Sequence, residues 1–206
     1  GKDSMLMAKL MQELQRHGKY PFELVFLVMN PGYNADNWKI IQDNAKVLGI
    51  PLTVFESEIF DIVAGVDRNP CSLCARMRRG NLYAEAKALG CNKIALGHHF
   101  DDAVETFLMS LFYEGRIGCF EPVTYLSRSG VTQIRPMLYI GEKAIEHFAQ
   151  AQQLPVVRNV CPADKHTKRQ EIKELIASLQ TQYPDIKTRI FGAMQRYPLS
   201  QWSVQK

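Results

Sequence analysis

Three groups of residues in this chain are of types that do chemistry. The first is Pro70-Cys71-Ser72-Leu73-Cys74, followed by Arg76, Arg78 and Arg79, with Cys161 far downstream. A C-x-x-C pair at a helix start, with arginines on the following turns, has its thiolates favoured and suits metal ligation. Zinc asks for four ligands, usually from a second close pair, and Cys161 is followed by Pro162, Ala163 and Asp164 instead. Three cysteines fit an iron–sulfur cluster with one iron not held by protein. A redox dithiol and a structural zinc are the other readings of the same pair. Cys91 and Cys119 are expected to pack in the core.

The second group is Gly97-His98-His99-Phe100-Asp101-Asp102 with Glu105. Asp102 and Glu105 have the spacing of a capping box. Two adjacent carboxylates and two histidines exceed what a cap needs, and such carboxylates could hold Mg²⁺ on a nucleotide's phosphates. The third group, Gly1-Lys2-Asp3-Ser4, runs straight into a helix. A helix start beside Gly, Lys and Ser is a phosphate site, although Asp3 or Ser4 could equally serve as a plain cap. Basic residues gather at Arg76, Arg78, Arg79 and Arg116 and again at Lys165, Lys168 and Arg169, either as solvated faces or as contacts to a phosphate backbone.

The elements that must position these groups alternate along the chain. Helical periodicity is read over residues 5–17, 36–48, 75–89, 141–152, 169–179 and 187–196, and in the helix after Asp102, where Val104, Phe107, Leu108, Leu111 and Phe112 share a side. Buried strands are read in the apolar runs ending at Met29 and Leu96, with shorter strands at residues 51–55 and 156–157, a helical turn over 59–64, and a hairpin over 123–137 turning at Ser127-Arg128-Ser129-Gly130. Strands separated by helices of this length predict an α/β fold, a parallel sheet with helices on both faces. Ligands of such sheets sit at the carboxyl ends of the strands, where Asn30–Tyr33 and Gly97–Asp102 fall.

Composition sets the outer limits. The 206 residues are 46% hydrophobic and 22% charged, usage that excludes disordered, coiled-coil and collagen-like chains. No apolar run approaches the ~20 residues of a membrane span, and no signal segment opens the chain, so a cytoplasmic protein without a membrane partner is expected. Lys and Arg number 25 against 21 Asp and Glu, a net charge of +4 that leans towards anionic partners.

Taken in order, Gly1-Lys2-Asp3-Ser4, Pro70-Cys71-Ser72-Leu73-Cys74 through Arg79-Gly80, Gly97-His98-His99-Phe100-Asp101-Asp102 and Ile134-Arg135-Pro136 resemble the PP-loop ATP pyrophosphatase superfamily. Within it they resemble the tRNA 2-thiocytidine synthetase (TtcA-like) branch, over nearly the whole chain. The resemblance implies a Rossmann-like adenine nucleotide alpha hydrolase fold in one domain over residues 1–206, and ATP cleaved between its α and β phosphates with Mg²⁺. Gly1, Lys2, Asp3 and Ser4 would hold the pyrophosphate, with Asp3 near Mg²⁺. Met29 would border the adenine, and Gly97 and His98 would line the nucleotide pocket. Asp101 and Asp102 match the paired acids, Asp102 being the favoured catalytic one. Cys71, Cys74 and Cys161 would hold a [4Fe–4S] cluster, and Arg78 falls where a basic residue faces the site.

The chemistry so implied is adenylation of a tRNA pyrimidine C2 oxygen, with cytidine the expected base, and its replacement by sulfur. The expected partners are tRNA and a sulfur donor, either free sulfide or sulfur from a cysteine desulfurase, with a homodimer left open. The family loop reads Ser-Gly-Gly-Lys-Asp-Ser, so the domain is expected to be incomplete at its N-terminus, lacking the first strand and half the loop. The alternatives are a tRNA-lysidine synthase-like enzyme, which needs no cysteines, and a non-catalytic metal-bound RNA-binding module.

Overall fold

The computed structural model describes residues 1–64, 66, 70–155 and 167–197, apart from the side chains of Asp61, Ala64, Pro70, Cys71 and Ser72. Within them the elements follow in chain order: α1 (Lys2–His17), β1 (Phe26–Asn30), α2 (Ala35–Val47), β2 (Leu52–Glu56), α3 (Ile59–Ala64), α4 (Pro70–Ala88), β3 (Lys93–Ala95), α5 (Phe100–Glu114), β4 (Val123–Leu126), β5 (Val131–Ile134), α6 (Glu142–Ala151), α7 (Lys168–Gln182) and α8 (Ile186–Arg196). The strand expected at 156–157 lies outside the described residues.

The strands form two hydrogen-bonded pieces. β1 and β2 pair in parallel with Val28 opposite Val54. β3 pairs in parallel with β5, which pairs antiparallel with β4 through the expected hairpin. Gly130 takes the positive φ of 73° that closes its turn. Neither β1 nor β3 has a second ladder partner among the described residues. Apolar contact links the pieces, because Leu27 of β1 packs on the cluster formed by Ala86, Ile94 and Val131.

Two helix boundaries differ from the sequence reading, and both matter for chemistry. α1 begins at Lys2, with Gly1 as its N-cap, so Lys2, Asp3 and Ser4 form a helical first turn. α4 begins at Pro70, which suits a first helical position because its missing N–H would be unpaired there anyway. Cys71 and Cys74 therefore lie inside α4, one turn apart, rather than ahead of it.

The largest core cluster joins α5 to α7 and α8 through Val104, Leu108, Ile172, Ile176, Phe191 and Met194. Truncating a buried residue of this kind to Ala costs about 2–5 kcal/mol. Leu111 and Phe112, expected on the same apolar side, are 40% and 57% exposed, so the buried stripe ends a turn earlier than the pattern suggests. A second cluster clamps α1 to α2 and β1 through Met5, Ile41, Ala45 and Leu48. These two cores carry the N-termini of α1 and α5 to the same edge, where Phe100 N–H donates to Ile140 C=O at 3.0 Å and Leu96 N–H to Ile134 C=O at 2.9 Å.

Candidate functional site

The first turn of α1 is an open helix start. Gly1 caps it without a side-chain hydrogen bond, so the first N–H groups point outward with the positive end of the helix dipole behind them. Lys2 stands on this turn, its Nζ 3.1 Å from Asp3 Oδ1 and 3.0 Å from Glu142 Oε1 of α6. Burial works against its charge, but the hydrogen bonds to Glu142 and Asp3 outweigh it and hold Lys2 above the ordinary lysine pKa. Ser4 is exposed. Gly97, just past β3, comes against this turn: a Cβ there would lie 3.5 Å from the Asp3 carbonyl. The loop after β3 and the start of α1 therefore share one surface.

The acidic group starts α5. Asp102 Oδ2 accepts the His99 backbone N–H at 3.0 Å. The capping arrangement thus runs between His99 and Asp102, one turn earlier than the Asp102–Glu105 spacing suggests. Glu105 is engaged elsewhere, since its nearly buried carboxylate accepts Arg169 Nη1 of α7 at 2.8 Å, with Lys173 Nζ at 3.6 Å. Burial still pushes the Glu105 pKa up.

Asp101, also buried, has both oxygens engaged. Oδ1 accepts Lys187 Nζ of α8 at 2.7 Å and Oδ2 accepts the Glu142 N–H at 2.7 Å. Burial opposes its ionisation, yet Lys187 and the Glu142 N–H hold its pKa below the usual carboxylate range. Asp102 keeps more freedom, with 24% of its side chain exposed and Arg169 Nη1 at 3.5 Å from Oδ1. Of the paired acids, Asp102 can still turn towards a ligand while Asp101 ties three helices together.

Beyond β3 and β5 stands a stack of three side chains. The His98 and Phe120 ring centroids are 4.8 Å apart, and the Arg135 guanidinium lies 4.6 Å from the Phe120 centroid. Burial first, and Arg135 second, lower the His98 pKa to about 4, so the ring is neutral at physiological pH. Its buried Nδ1 has no hydrogen-bond partner among the described residues. A neutral imidazole nitrogen without a protein partner fits the nucleotide-pocket position expected of His98.

On the cysteine side, Cys74 is a free, half-buried thiol on α4. Arg78, one turn further on, reaches Tyr33 Oη at 3.4 Å. Tyr33 is fixed by its backbone N–H, which donates to Asn30 Oδ1 at 3.0 Å, and by Phe60, whose ring centroid is 5.7 Å away. Arg78 thereby joins the cysteine helix to the carboxyl end of β1, where Met29 is half-buried opposite Phe55. Cys161, the Cys71 side chain and Lys165 lie outside the described residues. Cys91 packs beside the Ala86 cluster. Cys119, its thiol pushed up to about 12 by burial, packs beside the α5 core.

Sequence reasoning missed Glu142, Lys173, Lys187 and Phe120, and it placed Tyr33 at a ligand-binding strand end without the Arg78 contact. It read Arg169 as part of a solvated or RNA-facing patch, whereas Arg169 binds Glu105 and, at 3.1 Å, Thr106 Oγ1. Lys168 likewise pairs with Glu171, and Arg116 with Glu114. Arg169 and Lys173, one turn apart on α7, meet the same Glu105 carboxylate, a convergence that only the fold reveals.

Comparisons with known proteins bear on the family and the fold. The PP-loop domain family matches residues 1–179. A tRNA-cytidine(32) 2-sulfurtransferase from Pelobacter propionicus is 36% identical over 199 residues, covering 94% of this chain and 74% of the relative. Another, from Teredinibacter turnerae, is 36% identical over 205 residues, covering 98% and 68%. Among solved structures, the U34-tRNA thiolase NcsA from Methanococcus maripaludis with its [4Fe–4S] cluster matches with a TM-score of 0.76 and 24% identity, covering 95% of this chain and 69% of that one. That likeness bears on the fold, and the two sequence relatives bear on kinship. The chain belongs to the PP-loop ATP pyrophosphatase superfamily, in its tRNA 2-thiocytidine synthetase-like branch.

Proposed function

We propose that this chain is an ATP-dependent tRNA sulfurtransferase that replaces the C2 oxygen of a cytidine with sulfur. The observation that carries this reading is the meeting of two chemistries at one edge. Gly97 packs on Asp3 at the anion-receiving turn, while Arg78 ties the cysteine helix to the tip of β1.

In the first step the cytosine C2 oxygen attacks the α-phosphorus of ATP, the bond to the β-phosphate breaks, and pyrophosphate leaves. The first N–H groups of α1, with Gly1 and Ser4, bind the departing pyrophosphate, and Lys2 exchanges Glu142 for a phosphate oxygen as charge develops. Asp3 and Asp102, the less committed carboxylates, hold Mg²⁺. Neutral His98 and Met29 border the nucleotide, and Asp101 positions α5 through Lys187 and Glu142. In the second step a sulfide sulfur bonds to C2, the C2–O bond breaks, and AMP leaves with the original oxygen.

Cys71, Cys74 and Cys161 hold a [4Fe–4S] cluster. The donor chemistry fits, since Cys71 and Cys74 are one turn apart on α4, Cys74 is unpaired, and Arg78 supplies positive charge on the next turn. When bound, the cluster would present the incoming sulfide for the exchange, chemistry that side chains alone do not offer. The sulfur originates from free sulfide or a desulfurase. The test is anaerobic purification with iron and acid-labile sulfide counted per chain, joined to nucleoside analysis of tRNA from a gene deletion rescued with wild-type or Cys74→Ser protein. Iron and sulfide at about four each per chain, and 2-thiocytidine restored by wild type only, are expected. Zinc in place of iron, or full rescue by Cys74→Ser, would overturn the assignment.

A further inference from the structure

A groove of about 640 Å³ lies away from the ATP-binding edge, between the second half of α4 and the β4–β5 turn. Tyr83, Lys87, Tyr125, Ser127, Arg128 and Ser129 line it. No carboxylate is among its described lining residues, while Lys87 and Arg128 are exposed cations with no ion-pair partner among the described residues. Tyr125 is 67% exposed on the edge strand β4, and an exposed aromatic face without a protein neighbour is a platform for a base. Tyr83 is held in place, its hydroxyl donating to Gln133 Oε1 at 3.1 Å. Two cations, two aromatic rings and hydroxyl donors in one open groove complement a polyanion carrying stackable bases.

The groove is continuous with the cysteine helix. Arg76, Arg79, Tyr83 and Lys87 recur every three or four residues and share a face of α4. Arg76 and Arg79 are exposed. From Cys74 to Lys87 the helix rises about 20 Å, a length that a few nucleotides of a strand can follow. The acidic half of the molecule offers no such path, since Arg169, Lys173 and Lys187 are paired with carboxylates.

Given the tRNA substrate proposed above, we infer that this face of α4 and the α4–hairpin groove form a second RNA-binding site. It grips the tRNA backbone through Lys87 and Arg128 and stacks a base on Tyr125, away from the modified nucleotide. The site takes RNA phosphates in a sequence-independent way, and it orients the substrate so that the target loop reaches the cysteine end of α4.

The experiment measures binding of an unmodified tRNA transcript by fluorescence anisotropy across a salt series, together with single-turnover thiolation by the same full-chain preparations. Lys87→Glu/Arg128→Glu should lower affinity at least tenfold and reduce the slope of log K against log salt by about 2. Lys87→Gln/Arg128→Gln, milder for folding, should reduce the slope by the same amount with a smaller loss of affinity. Tyr125→Ala should weaken binding about tenfold with the slope unchanged. Lys19→Glu/Lys46→Glu, exposed cations outside the lining of the groove, should bind as wild type. Groove variants that bind and thiolate like wild type would overturn the inference while leaving the sulfurtransferase reading intact, and would turn attention to an acidic protein partner. Groove variants that lose RNA binding when wild type binds RNA without thiolating it would support the groove and overturn the sulfurtransferase reading.

Discussion

The two ends of the proposed active edge treat charge in opposite ways. Around α5, every carboxylate of Asp101, Asp102, Glu105 and Glu142 faces a cation or a backbone N–H from another element. Along α4, Arg76, Arg78 and Arg79 stand exposed and face no carboxylate within ion-pair distance among the described residues. One sheet edge thus divides its work between two kinds of charge. Paired charges, desolvated and hydrogen-bonded, fix helices to one another, whereas unpaired exposed cations keep their attraction for a polyanion. Lys2 stands between the two regimes, bonded to Glu142 yet part-exposed, and so able to change partners.

Removing Lys2 should break the chemistry with little effect on the fold, and it carries the largest expected change. Lys2→Ala should lower tRNA-dependent release of AMP from ATP by about 10²–10³-fold, the loss typical of one preorganised electrostatic contact. Thermal unfolding should shift only slightly, because Glu142 retains Lys173 at 3.5 Å. A large loss of stability with modest loss of turnover would place Lys2 in the structural half instead.

Next comes the strength of the paired half. Arg169→Ala leaves the buried Glu105 carboxylate with only the more distant Lys173, and should cost about 2–3 kcal/mol in urea unfolding. Arg169→Lys should recover only part, since a single ammonium cannot reach Glu105 and Thr106 together as the guanidinium does. Arg78→Ala, from the unpaired half, should change stability by less than about 0.5 kcal/mol.

Acid should act on the same half with a defined sign. Asp101 and Glu142 are held below ordinary carboxyl values, against burial, by Lys187 and the Glu142 N–H in one case and by Lys2 in the other. Their contribution is therefore complete above about pH 4–5, where unfolded carboxylates are ionised, and is lost as pH falls through their lower folded values. Glu105, raised by burial, has the opposite sign. Asp101→Asn should lower stability at pH 7 by about 1.5 kcal/mol and flatten the acid limb of the stability profile. An unchanged limb would remove Asp101 from the network.

The smallest effect concerns the thiols. Cys119, whose Sγ lies 3.5 Å from the Ala103 carbonyl it donates to, should resist alkylation of the native apoprotein at pH 8. Cys74 should be modified under the same conditions, as peptide mass spectrometry would report.

How much of this was legible in the sequence depends on whether a feature is local. The strands leading to Asn30 and Ala95 and the hairpin turn at Gly130 followed from apolar runs and turn chemistry in short windows, and the packing of Cys91 and Cys119 from the burial habit of free cysteines. The helix starts at Lys2 and Pro70 were missed by a few residues, because Gly and Pro tolerate positions that a propensity argument assigns to loops. The cations opposite the acidic motif were illegible for another reason. Lys187 meets Asp101 across 86 positions and Arg169 meets Glu105 across 64, and an exposed-looking lysine reads the same whether it faces water or a buried carboxylate. The groove at Arg128 was likewise hidden, since its walls come from two elements that only the fold brings together.

The proposed chemistry turns on one event, in which the C2 oxygen of a cytidine is activated by adenylation and leaves as AMP. Reconstituted protein given ATP, sulfide and a tRNA carrying ¹⁸O at the target C2 tests it in one tube, by mass spectrometry of the nucleotide product. One AMP should form per 2-thiocytidine, with the ¹⁸O in the AMP phosphate. Thiolation with unlabelled AMP, the ¹⁸O appearing in water, would contradict it.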